Sequence, residues 1–472
     1  MPATLTPPAA PDAAAAPTSG RGRWITHWDP EDDAFWNGGG RRVARRNLVY
    51  SIFVEHIGFS IWLLWSAVAV SLPAAGFRFT VDQLFWLVAL PNLVGAVMRI
   101  PYTVAVARFG GRNWTVVSAV LLLVPITLLV ACVGNPGTPY WCFLVAAATA
   151  GFGGGNFASS MANISYFYPE RRKGFALGVN AAGGNLGVAV VQFAVPLVIT
   201  VPLLGAAQGD GVWLQNAPLL WLLPVLVAAC CAWLFMDNLS VARASVAEHA
   251  AVLRNRHSWI MSGLYIGTFG SFIGYSAALP LLISSQFPQM QGLLYAALGP
   301  LVGSLARPVG GWLADRLGGS RVTAVTFLVM ALGVGGVLVS LSAHRFAPFL
   351  AAFLLLFVAS GVGNGSTYRM IPAIFRSQAV AGAGDDPRAV AEAAARGRTD
   401  AAAVIGLASA VGALGGFLIP RGFGTSIAQT GSVDAALLVF LAGYAACLAV
   451  TWWFYLRTVL VRFSPSLAGA AV

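Results

Sequence analysis

Gly151-Phe-Gly-Gly-Gly-Asn-Phe-Ala-Ser-Ser-Met161 is a glycine run set inside an apolar segment, with no turn chemistry on either side. One glycine inside a helix costs roughly 1 kcal/mol against alanine, so a cluster of them needs a reason. In a membrane that reason is close helix approach, because small residues let two backbones touch where lipid is as apolar as leucine. A second run, Gly361-Val-Gly-Asn-Gly-Ser-Thr-Tyr368, lies about half a chain later, again in an apolar segment. Gly151, Gly153, Gly154, Gly155, Asn156 and Ser159 are assigned to this packing role in the first run. Gly361, Gly363, Asn364 and Gly365 are assigned to it in the second. The duplication points to a repeated architecture.

The 472 residues are 58% hydrophobic and 10% charged, with a mean hydropathy of +0.75. Soluble domains carry about 25% charge. The apolar residues fall in runs of about 20, the length that crosses a bilayer core. Spans are expected near 47–72, 81–108, 114–134, 139–164, 174–200, 218–236, 258–284, 292–315, 321–343, 346–374, 401–427 and 434–457. The fold class is therefore an all-α membrane protein of about twelve transmembrane helices. The five cysteines (Cys132, Cys142, Cys230, Cys231, Cys447) lie in apolar runs without CxxC or His-paired spacing. Neither a disulfide framework nor a metal site is expected, and no cofactor is called for. The net charge of +11 does not indicate nucleic acid, because the basic residues sit in short loops and form no patch on a soluble domain.

Those loops orient the chain. Arg41, Arg42, Arg45 and Arg46 precede the first span, and Arg108 and Arg112 follow the second. Arg171, Arg172 and Lys173 follow the fourth, Arg243, Arg254 and Arg256 the sixth, and Arg316 and Arg321 the eighth. Arg376, Arg388, Arg396 and Arg398 follow the tenth, and Arg457 and Arg462 close the chain. The alternate loops hold almost no basic residues, Arg78 and Arg345 excepted. The positive-inside rule then puts both termini in the cytoplasm, in a multi-pass protein of the cytoplasmic (inner) membrane. Residues 1–40 contain no apolar core of a signal peptide, so no cleavage is expected. The Ala/Pro-rich first twenty are expected to be disordered. The expected division is a cytoplasmic segment 1–45, a six-helix bundle 46–236, a cytoplasmic linker 237–257, a second bundle 258–457 and a tail 458–472.

Across the linker the halves echo each other. Arg108-Phe-Gly-Gly-Arg112 ends span two, and Asp315-Arg-Leu-Gly-Gly-Ser-Arg321 ends span eight. Gly178-Val-Asn-Ala-Ala-Gly-Gly184 and Gly406-Leu-Ala-Ser-Ala-Val-Gly412 open spans five and eleven. Two pseudo-symmetric six-helix bundles around a midplane site is the pattern of a transporter rather than a receptor or a membrane enzyme.

Two charges stand where none should. Arg99 lies in span two, nine residues before Arg108, and Arg307 lies in span eight, eight before Asp315. At 1.5 Å per residue each sits about 12–14 Å from its basic end, near mid-bilayer. A charge there costs at least about 2.5–3.5 kcal/mol and marks a substrate path. The depth exceeds what snorkelling spans, and the helices hold almost no carboxylates for ion pairs. Two fixed cations facing one cavity imply an anion, and the planar fork of arginine suits a flat oxyanion. Asn156, Ser159, Ser160 and Asn163 on span four, Asn180 and Asn185 on span five and Tyr265 on span seven can complete its ligand shell. Phe157, Phe269 and Tyr265 can wall a flat ligand.

The stretch Gly151-Phe-Gly-Gly-Gly-Asn-Phe-Ala-Ser-Ser-Met-Ala-Asn-Ile-Ser165 resembles the nitrate-signature motif of the NarK-type nitrate/nitrite porters of the major facilitator superfamily. Gly361-Val-Gly-Asn-Gly-Ser-Thr-Tyr-Arg-Met-Ile-Pro372 resembles their second signature. Trp28-Asp-Pro-Glu-Asp32, Phe77-Arg-Phe-Thr-Val-Asp-Gln-Leu-Phe85, Gly110-Gly-Arg-Asn-Trp114 and Gly267-Thr-Phe-Gly-Ser-Phe-Ile-Gly274 extend the likeness over nearly the whole chain. The resemblance implies that Arg99 and Arg307 are the paired substrate arginines. It implies pocket roles for Phe157 and Asn185 in the first half and for Tyr265 and Phe269 in the second. It also implies nitrate and nitrite as substrates of a secondary transporter, not an enzyme, expected to act as a monomer in the lipid bilayer.

Two unpaired cations resist occlusion when the site is empty, which favours a carrier that returns loaded and so exchanges nitrate for nitrite. Glu55-His56 in span one complicates this, about 13 Å beyond Arg46. The exchanger-like members of the family look uncharged there. Glu55 is either a proton-linked coupling residue for nitrate/proton symport or one of a structural hydrogen-bonded pair near the cytoplasmic mouth.

Overall fold

The computed structural model describes residues 21–203, 205–241, 252–290, 292–384, 386–458, 466–468 and 472. The first twenty residues, Arg243, Arg462 and the middle of the expected linker lie outside them. Among the described residues, eleven helices are long and apolar enough to cross a membrane. In chain order these are α1 (Asp33–Ser71), α2 (Val81–Phe109), α3 (Gly111–Val133), α5 (Glu170–Val198), α6 (Asn216–Phe235) and α7 (Arg256–Gln286). They continue as α8 (Gly292–Leu317), α9 (Gly319–Ser342), α10 (Phe346–Ala381), α11 (Pro387–Thr430) and α12 (Asp434–Leu456). The twelfth span, α4, is divided at Gly151 into α4a (Tyr140–Ala150) and α4b (Phe152–Phe167).

Most spans match the expected positions. Span four passes through Gly151 with helical backbone angles, marked there by a single-residue turn. Spans ten and eleven project well past bilayer length and take in most of 376–400 as helix. Alanine-rich sequence with Asp386 accepting from the Arg388 amide and Pro387 at the first turn explains that early start.

Helices α1–α6 form one half and α7–α12 the other. Within the halves α2 packs on α4b and α8 on α10, and α1 on α5 and α7 on α11, each pair in corresponding places. The halves meet where α2 packs on α11 and α5 on α8, again a symmetric pair of contacts. Gln192 on α5 stitches the seam, its Nε2 donating to Ser66 Oγ at 2.9 Å and to the Ser276 carbonyl of α7 at 2.6 Å. Helices α1 and α7 are the most enclosed spans and α12 the least, so the outer helices face lipid while α1 and α7 line the centre.

α2 starts with a capping box, in which Thr80 Oγ1 accepts from the Gln83 amide and Gln83 Oε1 from the Thr80 amide. Near its middle, α7 carries a π-helical turn, Ile266–Gly270, a distortion that favours functional sites. At the basic end of the bundle the N-terminal segment is built into the fold. Trp24–Ile25 pairs in parallel with Asn238–Leu239, and buried Asp237 accepts from Arg23, Arg46 and Asn47.

Candidate functional site

The two intramembrane arginines converge from opposite halves. Arg99 is 1% exposed and Arg307 5%. On α2, the Arg99 Nε donates to the Gly154 carbonyl at 3.2 Å, inside the first glycine run. Its Nη1 donates at 2.8 Å to the Ser409 carbonyl on α11, in the other half. On α8, Arg307 Nη2 donates to the Tyr265 hydroxyl at 3.3 Å. Arg99 Nη2 and Arg307 Nη1 have no hydrogen-bond partner among the described residues. Buried guanidinium nitrogens without acceptors are expensive, and an anion that accepts from them offsets that cost.

One phenyl ring organises the pair. The Arg99 guanidinium lies 4.6 Å and the Arg307 guanidinium 5.8 Å from the centre of Phe157. Phe157 stacks on Phe269 at 6.0 Å, and Phe269 stacks on Tyr265 at 5.3 Å. Arg99 also lies 5.0 Å from Phe269 and 5.4 Å from Trp62. Aromatic faces attract cations without neutralising them, so the guanidiniums are held in place with their charge still available. Arg99, Arg307, Phe157, Phe269 and Tyr265 thus share one buried cluster. Asn185 stands apart from it in hydrogen bonding: its amide on α5 is buried and neither polar atom has a partner.

The glycines admit this geometry. A Cβ at Gly153 would run into the Gly58 carbonyl of α1, and one at Gly365 into the Arg307 carbonyl. Gly151 packs on Val94, Gly154 on the Trp62 indole and Gly155 on the Tyr102 ring. In the second run, Gly361 lies against Gly303, and Gly363 against Thr268 and Thr326. The two asparagines of the runs, Asn156 and Asn364, have unpartnered amides, so neither serves a structural hydrogen bond. Ser159 Oγ donates to the Asn156 carbonyl at 3.2 Å. Glu55 on α1 is fully buried; Asn180 Nδ2 donates to its Oε2 at 2.8 Å, and its Oε1 has no partner.

Tyr368 was not among the site residues read from the sequence. Its hydroxyl is unpartnered, its ring lies 5.6 Å from the Arg307 guanidinium, and it tilts against Tyr265 at 6.2 Å. The available signal was its place at the end of the second glycine run. Trp62 and the Ser409 carbonyl had no such signal. Asp315 accepts an ion pair from Arg369, which ties α8 to α10 at the basic end, away from the cluster.

The family model described as Major Facilitator Superfamily matches residues 56–420. The nitrate/nitrite transporter NarU of Salmonella typhimurium is 45% identical over 92% of this chain and 96% of its own. NarU of Escherichia coli is 44% identical over the same shares. The probable nitrate/nitrite antiporter NarK2 of Thermus thermophilus is 39% identical, over 93% of this chain and 98% of its own. A crystal structure of a D-xylose-proton symporter shares the fold, with a TM-score of 0.63 at 14% identity, covering 86% of this chain and 96% of that one. The chain belongs to the major facilitator superfamily, and within it to the NarK-type nitrate/nitrite porters.

Proposed function

We propose that this protein carries nitrate and nitrite across the cytoplasmic membrane by alternating access, most simply as an exchanger. The observation that carries the reading is the pair of buried guanidiniums, one from each half, held around Phe157 with Arg99 Nη2 and Arg307 Nη1 unpartnered. A small oxyanion, with several acceptor oxygens, can accept from Arg99 Nη2 and Arg307 Nη1 at once. Similarity to proteins named nitrate/nitrite transporters supports the substrate. Relatives named probable nitrate/nitrite antiporters support exchange.

The anion lowers the cost of closing like charges into a low dielectric, so the loaded carrier crosses more easily than the empty one. Segments 46–236 and 258–457 act as the two rocking units, joined through 237–257, with both termini in the cytoplasm. Each half supplies one arginine, so a monomer contains a whole site. Phe157, Phe269, Tyr265 and Asn185 shape the pocket around the anion.

The test is counterflow in vesicles of the purified protein. Uptake of labelled nitrate should depend on nitrite inside, and Arg99→Lys or Arg307→Lys should reduce it on the order of 100-fold, since an ammonium cannot reproduce the fork. Near-normal counterflow in both variants would remove the arginines from the site.

A further inference from the structure

The stretch Arg108-Phe-Gly-Gly-Arg112 at the end of α2 takes no part in the anion site described above. It borders a cavity of about 290 Å³ lined by Trp24, Ala107, Arg108, Leu239 and Ser240. Three separate pieces of chain meet there: the N-terminal strand, the end of α2 and the start of the segment between α6 and α7. Gly110 lets them meet, since its φ is +87° and a Cβ there would strike the Trp24 ring and the Asn238 side chain. The Ser240 amide donates to the Ile25 carbonyl at 3.0 Å, which holds that residue in the wall.

The chemistry of the wall suits an anion. Arg108 is exposed, and its guanidinium lies 5.6 Å from the centre of the Phe109 ring. No carboxylate among the described residues pairs with it. The adjacent carboxylate, Asp237, is taken by Arg23, Arg46 and Asn47. Arg112 donates to the Trp233 and Gly22 carbonyls at 2.8 and 3.1 Å, neutral partners that leave its charge in place. Indole, hydroxyl and guanidinium groups all donate to phosphate oxygens. The C-terminal end of a helix repels anions, so the Arg108 guanidinium and not the α2 backbone must hold the charge.

An apolar track indicates what carries the phosphate. Val97, Ile100, Pro101 and Val104 are exposed in a line along α2 that ends at Arg108. From 97 to 108 the helix rises about 16 Å. One leaflet of the hydrocarbon core is about 15 Å deep, so the track spans a single leaflet and Arg108 lies at its polar surface. α8 repeats the track. Leu305, Pro308, Val309 and Trp312 are exposed and lead to Arg316, whose guanidinium lies 4.1 Å from the Trp312 ring. Exposed tryptophan favours the membrane–water boundary, which sets the depth of this second arginine too. The strand pair that walls Arg108 is the single sheet among the described residues, so Arg316 has the track without the cavity.

We propose that the cavity binds the phosphate of an anionic phospholipid, with the phosphate on Arg108 and an acyl chain along Val97, Ile100 and Val104. A lipid seated there fastens the N-terminal strand and the start of the α6–α7 segment to the end of α2. The inference goes beyond the transport reading and does not depend on the cargo.

The experiment uses the full-length protein in detergent with phosphatidylglycerol that carries a photoreactive head group, and the labelled peptides are mapped. Label should fall on Trp24 and on Leu239–Ser240. Unlabelled phosphatidylglycerol should suppress it about five-fold better than phosphatidylcholine, the worth of one arginine at an anionic lipid surface. Arg108→Gln should lower the labelling by a similar factor, while Arg316→Gln leaves it unchanged. Equal loss in the two variants would mean diffuse surface charge and overturns the site. Suppression by millimolar inorganic phosphate as strong as by phosphatidylglycerol overturns the lipid assignment in favour of a soluble phosphate. If Arg108→Gln does not fold, competition on the unaltered protein decides, and equal suppression by phosphatidylcholine overturns the proposal. No nitrate enters the assay, so its failure leaves the transport reading standing.

Discussion

Arg421 on α11 donates to Asp82 at the start of α2 at 2.8 Å, across the seam between the halves and at the end away from the basic loops. The same guanidinium lies 4.2 Å from the Trp86 ring, which faces Phe417 at 5.9 Å. The side chains are 16% and 36% exposed, so the pair contributes up to about 1 kcal/mol, roughly five-fold in the balance between a closed and an open seam. Asp82→Asn should raise amide hydrogen exchange around 82–86 and 417–421, and exchanging the charges (Asp82→Arg with Arg421→Asp) should restore protection. Unchanged protection in Asp82→Asn would mean that the apolar contacts alone hold the seam.

Tyr368 offers the anion a neutral donor. Its hydroxyl is buried and unpartnered beside Arg307, so removing it loses no bond within the protein. Tyr368→Phe should keep or slightly raise the melting temperature while weakening nitrate binding about ten-fold, the worth of one hydrogen bond to a charged group. Calorimetric titration with nitrate separates the two effects. Equal affinity would place the hydroxyl outside the ligand shell.

The glycines make a graded prediction. Gly153→Ala would drive a methyl into the Gly58 carbonyl, an overpacking that costs about 1–3 kcal/mol. Gly178 on α5 has nothing within 4 Å of the added carbon, and alanine there should gain up to about 1 kcal/mol of helix propensity. Thermal unfolding in detergent should rank Gly178→Ala at or above the parent and Gly153→Ala below it.

Asp237 holds the N-terminal segment. The carboxylate is 1% exposed and accepts from Arg23 at 3.0 Å and Asn47 at 2.9 Å, besides Arg46. Its arginine partners are about a third exposed, so Asp237→Ala should cost roughly 2 kcal/mol, below the range for a fully buried pair. Limited proteolysis near Trp24 should accelerate before any change in global unfolding. A cleavage rate equal to that of the parent would show that strand pairing alone secures the segment.

Much of this fold was legible because a bilayer imposes length on helices and hides polar backbone. Arg99 and Arg307 stood out by depth alone, since a charge eight or nine residues from a helix end has no ordinary explanation. What stayed hidden depends on how the helices cross. Nothing local to Ser409 says that its carbonyl receives Arg99, and Asp82 and Arg421 lie 339 residues apart. Asn156 read both as part of a packing motif and as a residue able to complete a ligand shell, and its unpartnered amide shows only when its neighbours are in place.

The bond from Arg99 to the Ser409 carbonyl changes how experiments on this residue are interpreted. Arg99 is fixed to one half by its chain and to the other by a hydrogen bond and by its contact with the Phe269 ring. Any motion that separates α2 from α11 must break that bond. The side chain proposed to bind the anion is therefore also a fastener between the two halves. On the proposed role, a substitution at Arg99 should alter affinity and the opening rate together, so kinetics at this position alone would not divide recognition from gating.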